Sequence, residues 1–314
     1  MSDTNTLITP VFIFGSYRSG TTMLASQLAA NSNAIALPEM PFIQMLITST
    51  ASTMDEITTL YHRMTATFHF RASGIDIDLP TFSQPFLVKA EPAERVYNLL
   101  RHHFQLNENK PKTWIEHTPH NRERVDLYKA IFPQAKFIHI VRDPRAVYAS
   151  MHNLLRWNSH DPIAFASNWN IATTYSFTAK ARQSHCSYEL RYEDYILDQE
   201  TKLIELCGFI GMTNEECMKN GGGISLPHYT KKQHSLVGKQ VDKTRINAWQ
   251  SSISLREAQL ITWRCLPWML HYNYCNKNEA IHPPRSLEAL KYKIKQKLLS
   301  PLSKIKRIKD NLST

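Results

Sequence analysis

Eight consecutive residues, Gly15-Ser16-Tyr17-Arg18-Ser19-Gly20-Thr21-Thr22, form the densest chemical motif in the chain. Glycines at 15 and 20 permit tight turns, so successive N–H groups can point inward around one cation, Arg18. Between a strand and a helix N-terminus such a loop cradles a phosphate-like anion. Its spacing differs from the nucleoside-triphosphatase loop, G-x4-G-K-[ST], in having Thr21 where a lysine would reach the β and γ phosphates. That argues against ATP hydrolysis and for a transferred group carrying less charge than a phosphoryl. A sulfuryl group, formally neutral in transfer, needs no Mg²⁺, only one cation and N–H donors at the leaving phosphate oxygen. A second anion site is expected where Arg142 leaves the run Lys136–Val141 and Ser150 follows two helical turns later. Three residues are candidates for a general base: Glu39, just beyond a short strand and Pro38, His117 and Glu116. The fourteen histidines do not suggest a metal: His117 and His120 flank Pro119 without Cys or carboxylate partners at a ligand spacing.

These residues need a scaffold of alternating strands and helices. Val11–Phe14 is too short for a helix and reads as a buried parallel strand. A helix is predicted from Gly20 to about Asn31, a strand at Ile35–Leu37, helical spacing over 41–70, a strand at Phe86–Val88 and a helix over Ala93–Phe104 behind Pro92. Trp114-Ile115 reads as a strand and 121–132 as a helix. Lys136–Val141 is the central strand, and Pro144–Leu155 a helix capped by Asp143. Tyr188–Arg191 and Gln199–Phe209 repeat the strand-helix unit, which implies an α/β fold with a mostly parallel sheet covered on both faces. Gly221-Gly222-Gly223 opens a polar segment to about Asp242, expected to be mobile, before helices near 244–250 and 255–272.

The loop Arg18-Ser19-Gly20-Thr21-Thr22 with Met23-Leu24 resembles the 5′-phosphosulfate loop of sulfotransferases that use 3′-phosphoadenosine 5′-phosphosulfate (PAPS), a family with a P-loop-like fold. Phe137–Ser150, with its Arg142-Asp143-Pro144-Arg145 turn, is similar to that family's 3′-phosphate segment. The resemblance implies that Tyr17, Arg18, Ser19, Gly20, Thr21, Thr22, Arg142 and Ser150 hold the donor. Leu190–Tyr195 resembles the family's Y-E-D-L strand end, which would lay Tyr192 against the nucleotide. Gly238–Ser254 is similar to a late loop where a basic residue and a tryptophan close over it, implying Arg245 and Trp249. Trp114–Pro119 resembles a W-x-x-K-T-P element with His117 in place of lysine. In the branch resembling tyrosylprotein sulfotransferases a glutamate stands twenty-one residues past the loop arginine, the spacing from Arg18 to Glu39. Arg18 and Glu39 are thereby implied as catalytic, with PAPS as co-substrate and no metal. A degenerate P-loop kinase and a non-catalytic nucleotide-binding scaffold at a membrane are the alternatives.

The 314 residues, 42% hydrophobic, suffice for a large core, and no run of eighteen apolar residues occurs. Met1–Pro10 carries Asp3 and no Lys or Arg, so no export signal is read there, and five cysteines without a C-x-x-C pair suggest reduced thiols in the cytoplasm. The net charge of +10 is uneven: residues 282–314 hold nine Lys and Arg against Glu288 and Asp310, a net +7. We expect a domain over 1–281 and a basic tail over 282–314, with a small-molecule, carbohydrate, lipid or peptide acceptor and no nucleic-acid partner. Leu287, Leu290, Ile294, Leu298, Leu302, Ile305 and Ile308 recur at helical spacing among lysines, an amphipathic pattern expected to break at Pro301. It points to peripheral contact between residues 285–314 and an anionic membrane.

Overall fold

The computed structural model describes residues 8–106, 112–152, 160–226, 237–278 and 281–312; side chains at 300 and from 302 onward are outside the description. Five strands, β1 (Ile8–Gly15), β2 (Ala34–Ala36), β3 (Lys112–Glu116), β4 (Lys136–Val141) and β5 (Ser187–Arg191), make one sheet in the order β2-β3-β1-β4-β5, with every neighbouring pair parallel. Period-two alternation divides its core. Phe12 and Phe14 point to one face with Trp114 and Phe137, where Phe12 stacks on Tyr128 at 4.4 Å. Val11 and Ile13 point to the other with Ile115, Ile138 and Ile140.

After β1 comes α1 (Thr21–Leu28), whose Leu24 and Leu28 fill the second core face. The β2-to-β3 crossover holds α2 (Ile43–Ile47), α3 (Met54–Thr65), α4 (Phe68–Ser73), α5 (Leu79–Leu87) and α6 (Pro92–Phe104). A 3-10 turn, Pro119–Arg124, and α7 (Val125–Ile131) precede β4, so the single helix expected over 121–132 is two pieces. Between β4 and β5 lie α8 (Pro144–His152) and α9 (Pro162–Arg182); residues 153–155 of the expected helix are outside the description. Then come α10 (Tyr192–Leu197), α11 (Gln199–Ile210), a 3-10 turn Lys243–Ile246, α12 (Trp249–Ser252), α13 (Leu255–His271) and α14 (Glu288–Leu312).

Two other expectations are corrected. Phe86–Val88 is not a strand: Asp78 caps α5 by accepting from Thr81 N–H, and the helix runs through Leu87. Only Phe86 is buried, against Phe82, while Val88 is 70% exposed, so the apolar triplet is a helix end and not a sheet segment. Nor does Pro301 interrupt the tail, because α14 continues past it to Leu312. Proline removes its own N–H bond and crowds the carbonyl four residues back, and the flanking turns carry the helix across. The segment expected to be mobile is pinned at its start, where Gly222 and Gly223 N–H donate to Ser26; residues 227–236 are outside the description.

Candidate functional site

Because all five strands run parallel, their C-terminal ends share one edge of the sheet, and each delivers a candidate there. The cradle follows β1, Glu39 follows β2, Glu116 ends β3 with His117 next, Arg142 follows β4, and Tyr192 follows β5. Edges of this kind hold ligands in open α/β folds.

The cradle is tightly determined. A Cβ at Gly15 would lie 2.2 Å from the Ile140 carbonyl oxygen, so only glycine permits β1 to approach β4 there. Arg18 (φ 64°) and Gly20 (φ 103°) both adopt left-handed backbone, and a Cβ at Gly20 would meet the Tyr192 ring at 2.9 Å. Ser19 is fully buried, with its hydroxyl 2.6 Å from that of Ser16. Thr21 and Thr22 are buried in the first turn of α1, whose N–H groups have no intrahelical acceptor before Leu24 bonds to Gly20. The helix dipole adds positive potential at this point.

Two guanidinium groups share the cradle. Arg18 Nε donates to Ser150 Oγ at 3.1 Å, and Arg142 Nη1 donates to the Arg18 carbonyl at 3.0 Å. Arg142 also lies 4.2 Å above the Tyr192 ring. Its buried Nε has no hydrogen-bond partner, and among the described residues no ion pair neutralises it. Burial, followed by the like charge of Arg142, lowers the Arg18 pKa to about 10. Two cations brought together against that penalty favour an anion beside them. Arg145, in the same turn, is spent differently: it pairs with Asp143 at 2.8 Å and lies 4.3 Å over the Trp249 ring.

Glu39 is partly exposed. Burial, and then the nearby Glu116 charge, raises its pKa to about 7. Burial also raises Tyr17 to about 12, with the Glu39 charge the next cause. Glu116 is buried and fully engaged: it accepts from Met40 N–H, Thr118 N–H, Thr118 O–H and Asn121. It therefore fixes the turn that presents Glu39 and has no free lone pair suited to a base. His117 is buried, and burial, outweighing backbone contacts at His117 and Leu37, drops its pKa to about 4.

Arg245 reaches the site through its backbone, its carbonyl accepting from Arg142 Nη2 at 3.3 Å, while its half-exposed side chain turns to Asp242. Trp249 belongs to α12 and stacks on Arg145, so the pair expected to close together is divided between two partners. Two contributors escaped the sequence reading. Arg122 donates to the Gly15 carbonyl at 3.1 Å and braces the cradle's entry. Glu123 is hydrogen-bonded to His120 Nδ1 at 2.9 Å, and His120 Nε2 is hydrogen-bonded to the Tyr17 hydroxyl at 2.6 Å. Their only signal was proximity to the Thr118-Pro119 element.

Comparison with known proteins finds relatives in sequence and in fold. A family profile described as "Sulfotransferase family" matches residues 10–216. The chain is 27% identical over 249 residues to omega-hydroxy-beta-dihydromenaquinone-9 sulfotransferase Stf3 of Mycobacterium bovis and of Mycobacterium tuberculosis, covering 66% of this chain and 64% of those relatives' length. Among solved structures, the sulfotransferase domain of the Synechococcus PCC 7002 olefin synthase superposes with a TM-score of 0.62 at 22% identity, over 85% of this chain and 95% of that one. The sulfotransferase domain of the curacin biosynthetic pathway gives 0.52 at 18%, over 80% and 95%. At these identities the likeness speaks for the fold.

Proposed function

Since the chain belongs to the sulfotransferase family, we propose that it moves a sulfuryl group from PAPS to a hydroxyl or amine acceptor. The observation that carries this reading is the pairing of Arg18 with the unneutralised Arg142 beside the N-terminus of α1. Loop N–H groups, Ser19, Thr21 and Thr22 hold the phosphosulfate, with Gly20 and Tyr17 shaping the cradle. Arg142 and Ser150 take the 3′-phosphate, and Tyr192 and Arg245 line the nucleotide side. The acceptor oxygen or nitrogen attacks sulfur as Glu39 takes its proton. The sulfur to bridging-oxygen bond breaks, and its electron pair leaves on the phosphate oxygen, where Arg18 meets the growing charge. No metal is required for this transfer. His117, whose low pKa makes it a weak base, is the second candidate for the proton. The five free cysteines fit a reducing, cytoplasmic compartment.

The Mycobacterium relatives are named for a hydroxyl-bearing lipid quinone, which makes hydroxylated lipids the acceptor class to test first, ahead of carbohydrate, peptide and small phenols. The test is transfer of label from [³⁵S]PAPS across that acceptor panel, with Glu39→Gln as control. Labelled product that disappears with Glu39→Gln supports the proposal. Mg²⁺-dependent binding of ATP in preference to adenosine 3′,5′-bisphosphate would overturn it in favour of a kinase.

A further inference from the structure

Helix α14 is docked by the wrong face for a helix that merely completes a core. A mixed side, polar and apolar, meets the domain: Arg256 Nε donates to Glu288 at 2.7 Å, His160 N–H donates to Gln296 Oε1 at 2.8 Å, and Ala289, Tyr292 and Leu299 are half-buried along the same side. Arg256 also donates to the Pro283 carbonyl at 2.8 Å, fastening the approach to the helix. The apolar stripe faces outward, with Leu287 76%, Leu290 53%, Ile294 50% and Leu298 72% exposed. At 100° per residue, these four leucine and isoleucine positions lie within one narrow sector, and the exposed Lys291 and Lys297 fall on either side of it, with Lys293 and Lys295 beyond. The only acid among the described side chains of α14, Glu288, is turned inward to Arg256 and held near a pKa of about 2 by it.

We infer that this face of α14 is a docking surface for an anionic lipid bilayer, with Leu290, Ile294 and Leu298 entering the headgroup boundary and Lys291, Lys293, Lys295 and Lys297 meeting lipid phosphates. Charge selects this occupant. A second copy of the chain would set lysine against lysine around the stripe, whereas an anionic surface complements a face that is apolar along its centre and cationic on both flanks. The contacts of Glu288 and Gln296 hold the helix on the domain, so the stripe is presented without unfolding anything. The inference goes beyond the sulfotransfer reading and does not depend on it.

The experiment is cosedimentation of the full chain with vesicles of phosphatidylcholine alone and of phosphatidylcholine mixed with phosphatidylglycerol, at low and high salt. Binding is expected only to the mixed vesicles and is expected to weaken with salt. Each of Lys291→Gln, Lys293→Gln, Lys295→Gln and Lys297→Gln should lower the partition coefficient about fivefold. The triple variant Leu290→Asp/Ile294→Asp/Leu298→Asp should abolish binding with melting temperature and adenosine 3′,5′-bisphosphate affinity unchanged. The single lysine variants keep the test decisive should the triple variant fail to fold. Equal binding to neutral vesicles, binding unaffected by the lysine changes, or no vesicle binding together with a dimer in solution that the triple variant dissociates would each overturn the inference; the last would assign the stripe to a second copy.

Discussion

Glu39 carries opposing consequences for activity and stability. Its carboxyl sits near a pKa of about 7 in the folded chain because burial and the Glu116 charge disfavour ionisation, whereas an unfolded glutamate titrates near 4.5. Below about pH 7 it is protonated and cannot accept a proton, so kcat/KM should rise as pH passes upward through about 7. Glu39→Gln should lower turnover about 10²- to 10⁴-fold and flatten that limb, with donor affinity retained. The sign for stability is reversed. A folded pKa above the unfolded one means that stability is present below about pH 4.5 and is lost as pH rises through about 7. Glu39→Gln should therefore raise the melting temperature at pH 8 more than at pH 5; an equal shift at both would show that Glu39 is not desolvated. The two arginines divide differently. Arg142→Ala removes a charge-assisted contact and should weaken adenosine 3′,5′-bisphosphate about ten- to a hundredfold by calorimetry. Arg18→Ala should depress kcat more than it weakens binding if, as proposed, Arg18 faces the leaving oxygen whose charge grows in the transition state. If His117→Ala abolished turnover and Glu39→Gln spared it, the base would be His117.

At the scale of elements, the ends of β4 and β5 are joined by a buried acid-base cluster. Asp143 caps α8 by accepting from Arg145 N–H at 2.8 Å and pairs with the Arg145 side chain; its own N–H donates to Glu193, which also accepts from Tyr274 O–H at 2.8 Å. Asp143→Ala removes the carboxylate from a buried guanidinium that also donates to the Tyr274 carbonyl at 2.6 Å, and should lower unfolding free energy by about 3 to 5 kcal/mol in denaturant titration, whereas a loss under about 1 kcal/mol would mean that the remaining partners of Arg145 suffice. The strands and the cradle were legible because local signals suffice for them: β-branched and aromatic runs before glycine, an arginine at a strand end, a proline at a helix start. Phe86–Val88 was misread because three apolar residues fit a strand and a helix end equally, and the deciding facts, the Asp78 cap and an open surface at Val88, are not periodic. Contacts that join distant segments left no local trace. Tyr17 and His120 are 103 residues apart, and the choice of Arg145 over Arg245 as the partner of Trp249 depends on how α12 meets the end of β4. The direction in which α14 faces was equally invisible, since an amphipathic pattern does not say which side the domain takes.

For the molecule as a whole, the proposed donor site draws on three of the five strands, β1, β4 and β5, so filling it should stabilise the sheet as a unit and not one loop. The cradle joins β1 to α1, Arg142 ties β4 to the carbonyls of Arg18 and Arg245, and Tyr192 brings in β5 beneath that guanidinium. A ligand bound only by the native arrangement adds RT ln(1 + [L]/Kd), about 2.7 kcal/mol at a hundredfold excess over Kd. For a chain of this size that is a rise of roughly 5 °C in melting temperature. Adenosine 3′,5′-bisphosphate should produce that rise without Mg²⁺, because two arginines and the helix N-terminus supply the countercharge that a metal gives elsewhere. Adenosine 5′-phosphate, lacking the group that Arg142 and Ser150 would hold, should need about ten- to a hundredfold more ligand for the same shift. Differential scanning fluorimetry with both nucleotides, with and without Mg²⁺, makes the comparison. Identical concentration dependence for the two would remove Arg142 and Ser150 from the 3′-phosphate site, and a shift that appears only with Mg²⁺ would mean that the two cations do not suffice for the anion they face.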